Sequence, residues 1–536
     1  MNRKEFLQTG AILSTGILLQ GACTAAPKKI SGKIIGANAA VGHLLRDNKI
    51  NFSHPAEVEK KKIVIVGGGV SGLSAARHLH QQNEQDFVVI DLEKEMGGNA
   101  ASGGNAVSKY PWGAHYIPIP NNDLQEYLSF LQESNVITGY NENGLPAYND
   151  EYICFDPQER LYINEHWQDG LVPNYGVPEQ DLQQIKSFLK LVDDLRYKKG
   201  ADGKDVFAIP VNNSSKEEIY TALDTITMQQ WLQQNSFTSP YLQWYINYSM
   251  RDDFGTPADK ISAWMGLHYF AARKGKAANA VHDDVLTWQQ GNGWLVRQLK
   301  KDIQDKLANN CLALNIKQNN GKLHLSCFDV SAKKVKAYEA EQCILAVPQF
   351  VAARLLNDAQ RLEKVKSTMH YVPWMVANIT TATLEERSGM PLCWDNVLYD
   401  SDALGYVNAT QQMVQQYIPV QNLTYYKPLT VDTCETARIK AYQTTHEQWV
   451  AGIIQDLKKV HPDIEQKVSN IDIMIWGHAM AQPLPGTAHG ELRQQLAASI
   501  NNQIHFAHTD LAGISIFEEA FYQGLGAAQN VLKQLA

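Results

Sequence analysis

The order of apolar and polar positions sets a few short strands among amphipathic segments. Lys62-Ile63-Val64-Ile65-Val66 predicts a strand, and the spacing from Leu73 to His80 predicts a helix directly after it. A second apolar run, Phe87 to Ile90, ends at Asp91. Near the other end, Ile504 to Ala507 predicts a strand leading to Asp510, followed by a helix with small residues at Gly524, Gly526 and Ala528. Between these ends, helical spacing marks Asp181 to Leu195 and Thr227 to Gln234, and apolar residues alternate around Trp374 to Thr380. No internal repeat or low-complexity tract is present.

The first 60 residues have a different pattern. Arg3 and Lys4 precede a mildly apolar run, Ala11 to Leu19, that closes in Gln20-Gly21-Ala22-Cys23. A charged start, a short apolar stretch and small residues describe an export signal, too short to span a bilayer. Asn2-Arg3-Lys4-Glu5-Phe6-Leu7 resembles a twin-arginine signal with Lys4 in the second arginine's place, and Gly21-Ala22-Cys23 resembles a lipoprotein processing site. The expectation is export to the periplasm or cell envelope, with a lipid on Cys23 as the only membrane anchor. Residues 24–60 mix Gly, Ala, Asn, Lys and Pro without sustained periodicity, and are expected to form a tether.

Composition narrows the choices. The 536 residues carry a net charge of −8 and are 44% hydrophobic, enough for large cores in two to four domains. No basic stripe interleaved with aromatics is present, so nucleic acid is not an expected partner. Seven cysteines without a CxxC pair make no disulfide framework.

The chemistry begins where the first strand ends. Gly67-Gly68-Gly69-Val70-Ser71-Gly72 completes a strand, G-x-G-x-x-G, helix unit. Gly67 permits a tight turn, Gly69 lets the backbone approach a pyrophosphate, and Gly72 lets helix and strand pack closely. Val70 and Ser71 lie in the first helical turn, whose free N–H groups face the phosphates. Asp91, at the end of the second strand, is placed to accept both ribose hydroxyls.

Downstream, Asp91-Leu92-Glu93-Lys94-Glu95-Met96-Gly97-Gly98-Asn99 resembles the flavin-containing amine oxidase superfamily, in which an acid precedes a Gly-Gly-Arg element; Asn99 here replaces the arginine. Trp112-Gly113-Ala114-His115-Tyr116 resembles that family's Gly-Gly-x-Tyr segment, where backbone passes the flavin and the tyrosine lines the substrate cavity. Cys343 to Pro348 is similar to its strand ending in Ala-x-Pro. The resemblance implies that Asp510 binds the ribityl chain and that the helix start at Ile516 and Phe517 faces the flavin. It implies an α/β fold: a Rossmann-like, doubly wound FAD-binding domain (61–120, 285–355 and 486–536) with an inserted mixed α+β substrate domain (121–284 and 356–485). No cysteine follows Cys434, so noncovalent FAD is expected.

The catalytic residues are less legible. Hydride transfer to a flavin needs positioning and a dry pocket more than acid–base groups. His115, Tyr116 and Trp476 are the weak candidates, and Tyr116, Trp374 and Trp476 are expected to line the substrate, with Trp112 a further aromatic at hand. Glu518 and Glu519 fit ordinary first-turn acids complementing the helix dipole, or an amine-recognising pair. Val281-His282-Asp283-Asp284 reads as a solvated turn, and no metal is expected. The lysine that assists flavin reoxidation in many amine oxidases is missing: its matching position holds Asn378 or Ile379. These residues imply a small-molecule amine as substrate and oxygen or a quinone-like carrier as electron acceptor. Two alternatives stay open: desaturation of a C–C bond, as in relatives of phytoene desaturase and protoporphyrinogen oxidase, and a noncatalytic dinucleotide-binding lipoprotein.

Overall fold

The computed structural model describes residues 29–47, 58–384, 388–413 and 419–536. The expected export signal and Cys23 lie outside the described residues. In chain order the strands of two large sheets are β1 (Ile34–Gly36), β2 (Val58–Val66), β3 (Phe87–Ile90), β4 (Glu159–Ile163), β5 (His166–Asp169), β6 (Leu307–Ala308), β7 (Cys311–Asn319), β8 (Lys322–Asp329), β9 (Lys334–Leu345), β10 (Tyr371–Ala382), β11 (Asp395–Leu398), β12 (Tyr406–Asn408), β13 (Val420–Pro428), β14 (Val468–Ala481) and β15 (Ile504–Phe506). The helices that bear on the site are α1 (Ala39–Arg46), α2 (Val70–Gln81), α3 (Pro240–Phe254), α4 (Ala263–Ala271), α5 (Gln349–Leu355) and α6 (Phe517–Leu535).

The nucleotide-binding sheet runs β6-β3-β2-β9-β8-β7, with β15 paired to the C-terminal end of β9. β2 is parallel to both β3 and β9. Its charged first half is mostly exposed, while Ile63 to Val66 are all buried, as a central strand covered on both faces requires. α2 and α6 pack so closely that a Cβ on Gly524 would strike the Ser71 carbonyl. That contact explains Gly524; a Cβ on Gly526 would meet no atom within 4 Å.

The second sheet runs β1-β14-β10-β13-β12-β11-β4-β5. β10 is antiparallel to β13 and β14 and is buried along almost its whole length. The alternation around Trp374 to Thr380 does not produce a wet face there. Ala377 and Ile379 pack into one apolar cluster, Trp374 and Val376 into another on the opposite face. The expected helices are present as Glu179–Arg196 and Met228–Gln234.

The N-terminal segment corrects the expectation of a tether. Residues 34–36 add a strand to the second sheet, parallel to β14, and residues 39–46 form α1. Short strands and two-turn helices held by tertiary contacts leave too little periodicity to be read from sequence. No helix among the described residues is long and apolar enough to cross a membrane.

Candidate active site

The nucleotide half of the site is built by backbone. β2 ends in Gly67 at φ +108°, a left-handed turn in which a Cβ would collide with the Ala346 carbonyl. Gly69 caps α2, and a Cβ built there meets no atom within 4 Å. Open space therefore lies before the helix N-terminus, where phosphate oxygens would meet its free N–H groups and those of Val70 and Ser71. Asp91 follows β3. Its Oδ2 accepts the Gly68 N–H at 2.5 Å and its Oδ1 accepts the Glu93 N–H at 2.7 Å. Burial raises its pKa above the ordinary value against those two hydrogen bonds.

The flavin half converges from three elements. Gly98 (φ +55°) opens a turn that carries Asn99, whose side chain donates to the Ala479 carbonyl at 2.5 Å. The Ala114 N–H donates to the Asn99 carbonyl at 2.9 Å, and Gly113 is so close to that carbonyl that no side chain fits. Asp510 is buried, and its Oδ2 accepts the Gln349 N–H and the Tyr371 hydroxyl, each at 2.7 Å. Its Oδ1 lies 3.0 Å from His508 Nδ1. Burial alone would raise the Asp510 pKa, but His508, Tyr371 and the Gln349 N–H together hold it below the ordinary value. Ile516 caps α6, and Phe517 begins it. This set fits FAD: an open anion cradle, an acid at each end of the expected ribose-to-ribityl path, and a turn kept bare of side chains at Gly113.

Beside it lies a cavity of about 140 Å³ whose wall includes Gly113, Ala114, Tyr116, Trp374, Trp476 and Phe517. Tyr116 starts a short strand (Tyr116–Pro118) paired with Val285–Thr287. Trp374 and Trp476 are direct neighbours across β10 and β14, and the Trp476 indole donates to the Trp112 carbonyl at 2.6 Å. Trp112 itself packs edge-on to Tyr110 in the core and is not among the wall residues. His115 stacks on Tyr426 with ring centroids 4.6 Å apart. Burial pushes its pKa down to about 4, which favours the neutral imidazole at pH 7. His115 is itself a wall residue of this cavity.

Of the wall's charged residues, pattern reading singled out Glu518 and missed Asp252, Asp253 and Arg273. Asp252 and Asp253 end α3, and with Glu518 they set three carboxylates against one cation, Arg273. Arg273 bonds Asp253 Oδ1 at 2.6 Å, and among the described residues neither Asp252 nor Glu518 makes an ion pair. Asp252 accepts no side-chain hydrogen bond among the described residues. Its pKa rises to about 7, first through burial and then through repulsion from Asp253. Glu518 also rises to about 7, again chiefly through burial. Glu518 and Glu519 both lie in the first turn of α6: Glu518 faces the cavity, and Glu519 is buried and accepts the Val211 N–H at 2.9 Å. Trp374 Nε1 and Asn292 Oδ1, both in the wall and both buried, lack a hydrogen-bond partner among the described residues. A signal for the missed acids was available. Two aspartates in the last helical turn, before the left-handed Gly255, oppose the helix dipole, and such local rule-breaking marks functional positions.

Asn378 is buried in β10, donating to the Pro111 carbonyl at 2.9 Å and accepting the Thr424 hydroxyl at 2.7 Å. Val376, two residues away, lines the cavity in its place, and among the described residues no lysine does.

A doubly wound nucleotide domain with a charged, aromatic cavity at its flavin edge defines an FAD-dependent oxidoreductase. Residues 70–532 match the model of the flavin-containing amine oxidoreductases, and the chain belongs to that family. It is 22% identical over 325 residues to an L-amino acid dehydrogenase of Synechocystis sp., a match that covers 58% of this chain and 62%, under two thirds, of that relative. Among solved structures, wild-type putrescine oxidase bound to putrescine superposes with a TM-score of 0.65 at 15% identity, over 89% of this chain and 100% of that one. Cyclohexylamine oxidase from Brevibacterium oxydans IH-35A gives 0.61 at 14% identity, over 89% and 99%.

Proposed function

We propose that this protein oxidises a cationic small-molecule amine and delivers the electrons to an acceptor other than oxygen. The observation that carries the reading is the wall of the cavity: among the described residues Asp252 and Glu518 make no ion pair, and the one cation in the wall, Arg273, is bonded to Asp253. A substrate ammonium supplies the missing charge and returns both acids to their ionised form. An apolar tunnel, as a terpenoid or porphyrin would require, does not have such a wall.

An ammonium cannot give up hydride, because its nitrogen lone pair is tied to a proton. Asp252, poised near pH 7 and free of side-chain hydrogen bonds, takes that proton as general base. Trp374, Trp476 and Tyr116 hold the neutral amine, and their aromatic faces keep water away from the Cα–H bond being broken. Bound FAD supplies the hydride acceptor. The oxidised imine leaves the cavity and hydrolyses to a carbonyl compound and ammonia or a smaller amine. The absence of a lysine in the described wall supports a quinone-like acceptor over oxygen.

The N-terminal pattern supports export and attachment through Cys23, on a route that carries folded, FAD-loaded cargo. Replacing Cys23 with alanine is expected to shift the protein from the membrane to the soluble fraction. The central test is anaerobic: visible spectra are recorded before and after mono-, di- and polyamines and amino acids are added. One amine class is expected to bleach the flavin, and a quinone is expected to restore its colour faster than air does. A flavin that stays oxidised throughout refutes the amine reading.

A further inference from the structure

Residues 31–46 do not simply lead to the body of the protein; they cross it. β1 lies on the substrate-domain sheet, with Ile34 to Gly36 beside Ile473 to Ile475. The Ser31 N–H donates to the Ser469 carbonyl at 3.3 Å, and the Lys33 N–H to the Asp472 carboxylate at 3.1 Å. The chain then turns onto the nucleotide domain at Asn38, whose φ of −69° and ψ of 57° describe an inverse γ-turn closed by the Ala39 N–H on the Ala37 carbonyl.

That turn aims the Asn38 N–H at Glu93 Oε1, 2.7 Å away. The Glu93 N–H donates to Asp91 at 2.7 Å, and the Gly68 N–H donates to Asp91 at 2.5 Å. One chain of hydrogen bonds thus joins the segment to the expected ribose acid and the phosphate loop. Leu45 of α1, like Val347 and Phe350, packs against the apolar cluster that holds Val64 and Val66 of β2.

α1 also brings basic groups to a place that has them already. On α5, Arg354 stands over the Phe350 ring at 5.6 Å, and His478 packs on the same ring at 4.7 Å. Burial first, then Arg438, His43 and Arg354, push the His478 pKa down to about 3. His43 is lowered by burial and by Arg46, Arg354 and Arg438, with Asp47 opposing. Asp47 is paired with Arg46 at 2.6 Å. Next to His478, the side chain of Asn99 is spent on the Ala479 carbonyl, where the resembled family has an arginine.

We infer that residues 31–46 are part of the FAD site, a strap over its ribose-diphosphate half, in which Arg354 supplies the positive charge that Asn99 does not. The inference rests on FAD as the cofactor. The two domains are then stapled by one segment, fastened to β14 at one end and to the nucleotide's surroundings at the other.

The test uses the full chain, freed of FAD and then titrated with it. Hydrogen exchange of the amides from Ala39 to Arg46 should slow at least tenfold when FAD is added; unchanged exchange overturns the inference. Asn38→Pro suits the existing φ and removes only the N–H that reaches Glu93. This variant and Arg354→Gln should each weaken FAD binding at least tenfold, read from flavin fluorescence, while the apoprotein keeps its melting temperature. Unaltered affinity in both variants, or a loss matched by a lower apoprotein melt, overturns the inference. Failure of the wild-type chain to bind FAD would instead strike at the cofactor assignment.

Discussion

Replacing Asp252 with asparagine should make the protein more stable and less active, and both effects should grow with pH. In the fold the Asp252 carboxyl has a pKa of about 7, against an ordinary 3.8. Because the folded value is the higher one, the native state holds the proton more tightly than the unfolded chain does. Stability therefore falls as pH rises from about 4 to about 7, and stays low above that. The difference corresponds to about 4 kcal/mol as a ceiling, which local relaxation and water entry reduce. The substituted amide does not titrate, so Asp252→Asn should unfold later than wild type at pH 8 by about 1–4 kcal/mol and match it closely near pH 4. Thermal or urea unfolding of the flavin-free protein at both values measures this. In the same variant kcat/KM for the best amine should drop by a factor of about 10²–10⁴, the range for loss of a general base. The rise of wild-type kcat/KM through pH 7 should disappear. A variant that is less stable at pH 8, or equally shifted at both pH values, refutes the claim that this carboxylate is held uncompensated in the cavity wall.

Other substitutions probe the remaining parts. Gly69→Val places its side chain in open space, so it should fold normally yet lose most of its flavin absorbance through blocked phosphate approach. Arg273→Met strands Asp253 in the interior and should cost about 3–5 kcal/mol in urea unfolding, well beyond the effect of a surface charge. His115→Phe preserves the stack on Tyr426 and should leave the pH profile of activity unchanged, since burial holds the His115 pKa near 4, below the working range; a displaced profile would restore it as an acid–base group. Val376→Lys should raise the rate of peroxide formation relative to quinone reduction, measured with a peroxidase-coupled assay.

Sequence by itself determined what depends on local backbone chemistry. Gly67, Gly69 and Gly72 can be read because a tight turn, an open anion cradle and a close helix–strand contact each forbid side chains within a few residues of one another. Asp91 can be read for a related reason, since it ends a short apolar strand at a fixed distance from such a turn, whereas the role of Asp510 came from the family resemblance. Tyr116 came from the same resemblance, Trp374 and Trp476 as aromatics available to the flavin face, and the fold brings all three to one cavity. Trp112, equally available, went into the core, because its neighbour Tyr110 and the β14 contact left it no exposure.

Only the tertiary structure decided the charge of the site and the role of the N-terminus. Asp252, Asp253, Arg273 and Glu518 come from α3, the residues just after α4, and α6, up to 266 positions apart, and no local spacing relates them. Their pKa values depend on burial and mutual repulsion, which exist only after packing. The same holds for β1 and α1. Three strand residues and two helical turns are unstable alone, so nothing in their own pattern announces them, and they form because β14 and the loop around Glu93 are already there to receive them.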